Sequence, residues 1–376
     1  MLEQEILALS KESPLRAFRA EELVVAYPGV ADYDHAVCAF SRLDGRARAT
    51  FFGAGDLNGP WVCAIGAFDG FHAGHQALIA RAKAEAAKCG ARVCAVTFAP
   101  DPAEVLGDPV PASRLVDPCH RPELLLRGGA DGVLAFGFDV DFAALTYGQF
   151  VREALLGIVD CRAIVVGTDF RMGAKGAGTV DALRVLGRDL GIEVIGLDLL
   201  DEGGSAVTAT RIRRLVREGR VEEAAGLMGR CLALTGHVEH GRGEGTSFGF
   251  PTANVITDIR NCLPEQGVYA GYVTPLGEYP LRAYPAAINV GLPPTFQPED
   301  PALELDAVAF LEANLIGFEG DLYGSDVAVT FVRWLRDSRS FDSLDELEST
   351  VLGNIAWVRD CLGKEGIRIN DGEVER

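Results

Sequence analysis

Apolar residues recur along this chain with two different periods, and the change between them divides it. From Trp61 the run WVCAIGAF is continuously apolar, residues 74–89 follow with Ala, Leu and Ile at helical spacing before Gly90, and ARVCAVTF is a second apolar run. Short continuous apolar runs predict strands buried on both faces, and the periodic stretch between them predicts a helix closed by glycine. DGVLAFGF, AIVVGTDF and IEVIGLDLL continue the series, alternating with helical patterns at 147–156 and 180–190. That alternation predicts a parallel sheet flanked by helices. TRIRRLVREGRVEEAAGLMGR predicts two short helices broken at Glu218-Gly219-Arg220. Beyond it LALTGHVEH, GVYAGYVT, YPAAINVG and DVAVTFVRWL are short β-rich runs between Gly, Pro and Asn turns, which predicts an antiparallel barrel or sandwich, and 344–362 reads as a last helix. A domain boundary is expected near 228 to 234. Residues 1–55 show no recognisable chemistry and read as an N-terminal extension, leaving 56–230 and 231–376 as the two modules.

Length agrees, since 376 residues exceed one ordinary domain of about 100 to 200. The balance of 35 basic against 54 acidic side chains gives a net charge of −19. No global basic surface therefore invites nucleic acid or anionic lipid, and any polyanion must bind locally. Counted locally, residues 207–220 hold five arginines against one acid, whereas residues 301–350 hold three basic against eleven acidic groups. The opening MLEQEILALSKESP lacks the basic and apolar regions of a signal peptide, and no stretch reaches the roughly 18 apolar residues of a membrane span. Nine scattered cysteines without a CxxC pair fit reduced thiols, so a soluble cytoplasmic protein is expected. Oligomeric state is not readable.

The sharpest local signal is GAFDGFHAGH, residues 66–75, between the first strand and its helix. Two histidines three apart at a helix N-terminus can face one anion, and the free backbone N–H groups there add to the attraction. Such a site suits a triphosphate, and Gly66, Gly70 and Gly74 permit close backbone approach. With TFxPxP at 97–102, GxDFRxG at 167–173 and TxTRIR at 208–213, the chain resembles the HxGH nucleotidyltransferases. More narrowly, it resembles the adenylyltransferase half of the bacterial bifunctional riboflavin kinase/FAD synthetases. The resemblance implies that Gly66, Phe68, His72, His75, Asp169, Thr210 and Arg213 contact ATP, with His72, His75 and Arg213 catalytic. From position alone, Asp169 and Arg171 could instead be a structural ion pair. Three departures remove possible donors: Ala209 and Asp101 replace a hydroxyl and a histidine of the family pattern, and Gly176 replaces a basic residue. A kinase with an impaired second half is therefore the alternative reading.

The second half carries GHVEHGRGEGTSFGFPTANV, residues 236–255. Thr252 and Asn254, two apart, share one face of a strand and offer hard oxygen ligands suited to Mg²⁺. GFPTAN, LPEQGVYA, NVGLPPTF, GDLYG and LRDSRSFDSLDEL follow in the order of the riboflavin kinases. This resemblance implies a six-stranded β-barrel that phosphorylates the ribityl 5′-hydroxyl of riboflavin, with Gly241, Gly245, Gly249, Thr252 and Asn254 at ATP and Thr252 and Asn254 at Mg²⁺. Phe318, Tyr323 and Phe341 are the candidates around the flavin. A primary alcohol keeps its proton at pH 7, so a carboxylate base has a purpose here. Counted back from GDLYG it is Glu312, and counted forward from PTF it is Glu304. Glu312 is preferred, because strand register fixes a face while a loop absorbs extra residues cheaply. The expected product is FAD, made from riboflavin through FMN. A flavin-binding regulator without chemistry, or a cytidylyltransferase, would leave one set of motifs unexplained.

Overall fold

The computed structural model describes residues 37–40, 48–53, 56–107, 113–240, 251–277, 281–291, 309–370 and 373–375. Contacts divide the chain into two compact units. The first spans described residues of 26–112 and Pro118–Ala209, and the second holds Ser113–Asp117 and Thr210–Arg376.

The first unit is built on a seven-stranded sheet. Its strands are β1 (Val37–Phe40), β2 (Arg48–Gly53), β3 (Pro60–Ile65), β4 (Arg92–Ala99), β5 (Gly132–Gly137), β6 (Asp160–Gly167) and β9 (Glu193–Leu197), with the small pair β7 (Arg171–Met172) and β8 (Gly178–Thr179) outside it. The order is β1-β2-β5-β4-β3-β6-β9. Strands β5, β4, β3, β6 and β9 run parallel, and β1 and β2 add an antiparallel edge. The strands expected from the apolar runs are thus observed, and β3 is where strand order reverses. Chain from β3 moves outward to β4 and β5, then β6 and β9 fill the other side. In such sheets ligands bind beyond the carboxyl ends of the strands at that reversal, and both GAFDGFHAGH and GTDFRMG leave strands there.

Helix α1 (Ala73–Cys89) ends on Gly90 in the left-handed conformation, as its sequence predicts. The expected helix 147–156 is observed, but only its start, Tyr147–Gln149 under a Thr146 capping box, is α-helical, and it continues as a π-helix over Phe150–Leu155. Phe150 there packs against Phe136 and Phe142, a tertiary demand that overrides regular helical spacing.

Residues 48–53 were expected to lie in an extension outside the fold. They form β2, pair with β5, and bury Phe51 against the edge of Trp61 at 5.9 Å. Gly132 on β5 has no side chain because a Cβ would meet the Phe51 ring at 2.5 Å. A six-residue strand with polar neighbours carries little periodic signal, which is why it was not legible.

The second unit is a closed antiparallel barrel of β10 (Leu232–Glu239), β11 (Ala253–Thr257), β12 (Gly267–Pro275), β13 (Leu281–Gly291), β14 (Ala309–Leu315) and β15 (Asp326–Asp337), extended by β16 (Ile367–Asn370) and β17 (Glu373–Glu375). The order is β12-β15-β10-β11-β14-β13, and β13 pairs back to β12. Val255, Leu311 and Val290 fill one inward row, and Ala253, Ala313 and Ile288 another. Helix α2 (Leu344–Leu362), capped by Ser343, packs on β13 and β12, with Trp357 and Val358 clustered with Val268, Ala270 and Leu335.

The division between units departs from the expected boundary near 230. The helices Ala209–Arg217 and Val221–Met228 fall almost entirely in the barrel unit. Glu222 pairs at 2.8 Å with the buried Arg333 of β15. Ser113–Asp117 joins the same unit: Arg114 exchanges backbone hydrogen bonds with Arg260 and Cys262, and its buried guanidinium lies 3.5 Å from Asp258. Sequence alone could not foresee a five-residue excursion with no pattern of its own.

Two outcomes follow for stability. Phe51→Ala should destabilise the protein by about 3 to 5 kcal/mol in denaturant unfolding, whereas a dispensable extension would show no change. Hydrogen bonds from Arg260, and then the charge of Arg114, hold the Asp258 carboxyl below its ordinary range. A depressed carboxylate contributes stability above its unfolded value near about 4, and loses it as pH falls through the folded value. Asp258→Asn should therefore flatten the acid side of a plot of urea midpoint against pH.

Candidate functional site

The loop after β3 is shaped by backbone geometry that few sequences tolerate. Phe68, Gly70 and Phe71 all take positive φ (56°, 76° and 40°) around the short turn Asp69–Phe71. Two phenylalanines in that region are strained, and such strain collects at functional loops. Burial holds them: Phe68 and Phe71 are both core residues, and Gly128 is a glycine because a Cβ would enter the Phe71 ring. The turn delivers His72 as the N-cap of α1, buried, with its imidazole stacked on that of His75 at 3.7 Å and 20°. The Phe68 ring meets His75 edge-on at 5.2 Å. A Cβ on Gly74 would lie 3.1 Å from the His72 ring and 3.4 Å from the Val207 carbonyl, so the glycine in HAGH is a packing requirement. The result is two imidazoles, side by side, at the start of a 17-residue helix on the carboxyl edge of the sheet.

Asp169 and Arg171 follow β6 on the same edge, and both are exposed. Among the described residues no ion pair joins them, so the structural pairing weighed above is not found. Gly167 lies where a Cβ would be 2.8 Å from the Asp169 carboxylate. Gly173, Lys175 and Gly176 all adopt positive φ in the turn beyond. Gly176 is thus required by the backbone, and the cation of this turn is its neighbour Lys175.

Asp101 also acquires a role. Its carboxylate caps the helix Pro102–Leu106 in a capping box with Glu104, and lies 3.8 Å from the buried guanidinium of Arg121. Ala209 opens the helix Ala209–Arg217. Thr210 and Arg213 belong to the second unit, where Arg213 Nε donates to the Ser113 carbonyl at 2.6 Å.

In the barrel, register brings the predicted groups together. Asn254 on β11 pairs with Glu312 on β14, and Glu312 pairs with Asn289 on β13. These three residues form one outward row between the two apolar inward rows, as the two-residue period of a strand dictates. Glu312 is exposed, and Thr252 lies just before β11 rather than on it, so only Asn254 of the expected pair is a strand residue. Asn314 Nδ2 donates to the Pro251 carbonyl at 2.8 Å, pinning the start of PTAN to the strand that carries Glu312. Asn289 was not singled out from sequence, although it lies in NVGLPPTF; an asparagine inside a strand pattern was the available signal. Glu304, Gly241, Gly245 and Gly249 lie outside the described residues.

The three aromatic candidates occupy different settings. Phe318 stands edge-on to Tyr284 at 5.1 Å, Tyr323 stacks on His240 at 3.8 Å, and Phe341 lies under Arg336 and Arg339 at 5.6 and 5.1 Å. For a metal, Thr252 and Asn254 offer oxygen donors. Among the described residues no group of three or more His, Cys, Asp or Glu could hold an ion unaided. A site completed by phosphate oxygens and water fits that donor set, which is how Mg²⁺ is commonly held.

Comparisons with known proteins match both halves of the chain. The FAD synthetase family matches residues 56–211, and the riboflavin kinase family matches residues 228–362. A bifunctional riboflavin kinase/FMN adenylyltransferase of Escherichia coli (strain K12) is 33% identical over 302 residues, covering 80% of this chain and 93% of that protein. The protein of the same name from Bacillus subtilis (strain 168) is 31% identical over 295 residues, covering 77% and 89%. A crystal structure described as a macrolide-efflux protein from Streptococcus pneumoniae shares the fold with a TM-score of 0.70 and 29% identity, over 81% of this chain and 96% of that one. Two family matches in tandem, on relatives spanned almost from end to end, mean that the chain belongs to the bifunctional riboflavin kinase/FMN adenylyltransferase family.

Proposed function

We infer that this protein makes FAD in two ATP-dependent steps, first phosphorylating riboflavin to FMN and then transferring AMP to FMN with release of pyrophosphate. The observation that carries the reading is the register of the barrel, which sets Asn254 beside Glu312 on one outward row. A carboxylate one strand from a metal-binding pair is what alcohol phosphorylation needs. Glu312 takes the proton of the ribityl 5′-hydroxyl as that oxygen attacks the γ-phosphorus and ADP leaves. Thr252 and Asn254 would hold Mg²⁺, whose charge neutralises the phosphates when bound. Gly241, Gly245 and Gly249 keep the phosphate-cradling role that their motif gives them, and Phe318, Tyr323 and Phe341 that of flavin contacts.

The second step needs no base, because the FMN phosphate is already ionised at pH 7. Its oxygen attacks the α-phosphorus of ATP and the bond to the pyrophosphate leaving group breaks, so alignment and charge neutralisation supply the catalysis. His72 and His75 are suited to it: stacked, and at the start of a long helix, they present two N–H donors to one phosphate chain. Gly66, Phe68 and Asp169 complete the ATP contacts on that edge. The roles of Thr210 and Arg213 rest on the TRIR motif alone. Catalytic labour follows the motifs, with adenylyl transfer in 56–230 and phosphorylation in 231–376, even though the folding units follow the contacts. Eight described cysteines are free thiols, and no described helix is long and apolar enough to cross a membrane. These observations and the net negative charge support a cytoplasmic enzyme whose partners are flavins and ATP.

Purified protein given riboflavin, ATP and Mg²⁺ should yield FMN and then FAD on chromatography. FMN without FAD, even from supplied FMN, would leave only a kinase with an impaired second half. Glu312→Gln should lower FMN formation by at least a hundredfold, the upper part of the usual range for a general base, and leave FAD formation from supplied FMN intact. If Glu304→Gln does this instead, the base assignment is wrong. His72→Ala should show the opposite separation, sparing riboflavin phosphorylation.

A further inference from the structure

One buried charge in the first unit is unused by either reaction as described so far. Arg121 opens the helix Arg121–Arg127 and is 1% exposed. Its Nη1 donates to the Phe98 carbonyl at 3.0 Å and reaches the Thr97 hydroxyl at 3.4 Å. Its Nη2 is 3.8 Å from the Asp101 carboxylate, and among the described residues Nε and Nη2 have no hydrogen-bond acceptor. Burying a guanidinium with so few partners is costly, and an apolar side chain of similar volume would be cheaper for the fold. The charge therefore has another use, and its partners indicate which.

Thr97 is itself 2% exposed, and its hydroxyl donates to the Ala67 carbonyl at 3.0 Å. Ala67 lies between the end of β3 and Phe68, where the left-handed turn toward His72 begins. The preceding residue is tied to the same strand, since Gly66 N–H donates to the Val96 carbonyl at 3.1 Å. A cation on the acceptor side of the Thr97 hydroxyl directs its proton toward Ala67, because the arginine N–H occupies a lone pair. The order of donors is then fixed from Arg121 through Thr97 to the loop. Asp101 sits at the other end of the guanidinium and holds it in place.

We propose that Arg121 and Thr97 are positioning residues for adenylyl transfer, acting through the Ala67 carbonyl to fix the loop that presents His72 and His75. Neither touches substrate. The relay rests on the adenylyltransferase reading above, and it deepens that reading by explaining why Asp101 is an acid here: it is the counter-ion of the relay.

The test uses the full-length protein and measures kcat and KM for FAD formation from FMN and ATP, with riboflavin phosphorylation by the same preparation as an internal standard. Thr97→Val removes the hydroxyl at nearly constant shape. It should lower kcat for adenylyl transfer about tenfold, equivalent to about 1.4 kcal/mol, with both KM values and riboflavin phosphorylation within twofold of the parent. Thr97→Ser keeps the hydroxyl and should restore kcat to within twofold. Arg121→Met should lower kcat in the same direction, and adding it to Thr97→Val should cost little more, since both act through one bond. Unchanged kcat in Thr97→Val, failure of Thr97→Ser to restore it, or fully additive losses would each overturn the relay. A parent protein that makes FMN but no FAD would overturn the adenylyltransferase reading, and the relay with it.

Discussion

Strand β3 is the constraint on which the first unit depends. It is hydrogen-bonded in parallel on both sides, to β4 and to β6, and its residues Trp61 to Ile65 are excluded from water. A strand held that way cannot slide, because a shift of one residue would turn its alternate side chains into the wrong layer. Everything at the carboxyl edge inherits that fixity. The strained turn at Phe68–Phe71 can persist because the strand before it and the helix after it are both locked, so local strain is offset by distant burial. The two imidazoles owe their contact to this. A looser strand would leave them as surface histidines with no common orientation.

The barrel meets the same requirement by different means. No single strand is central; closure removes free edges and makes each strand's register a condition on its neighbours. Polar groups are then displayed by parity alone, which is why Asn254, Glu312 and Asn289 align although they come from sequence positions far apart. One half of the protein therefore orients its chemistry by strand ends and a helix start, and the other by the outward rows of a cylinder. The proposed chemistries differ correspondingly: charge neutralisation suits a fixed edge, whereas proton removal needs a carboxylate whose place is set by register.

Most of this architecture was legible in the sequence, for physical reasons that vary by element. The parallel strands were readable because burial on both faces demands uninterrupted apolar runs, and α1 because Gly90 closes it. Four of the barrel's six strands were readable as short runs, but the patterning left barrel and sandwich open and only the resemblance to the riboflavin kinases implied a barrel, since pairing between β12 and β13 leaves no local mark. Glu312 could be separated from Glu304 only by arguing register. Short strands such as Arg48–Gly53 escaped notice, and so did Arg121, whose burial contradicts what an arginine in a polar stretch suggests. Thr97 escaped too, because it sits inside an apolar run where a threonine reads as filler. Residues that act through hydrogen bonds to the backbone carry little signature in their own identity.

The excursion of Ser113–Asp117 into the barrel's unit bears on how such a two-module enzyme can be taken apart or recombined. A fragment beginning at residue 231 would carry all six barrel strands and yet lack Arg114, Arg213 and Glu222. Asp258 would lose one of its two arginines, and the buried Arg333 would lose its carboxylate. The backbone groups of Arg260 and Cys262 that face Arg114 would also be left open to another edge. Grafting this barrel onto a foreign nucleotidyltransferase therefore requires transplanting a pentapeptide from the middle of the other module.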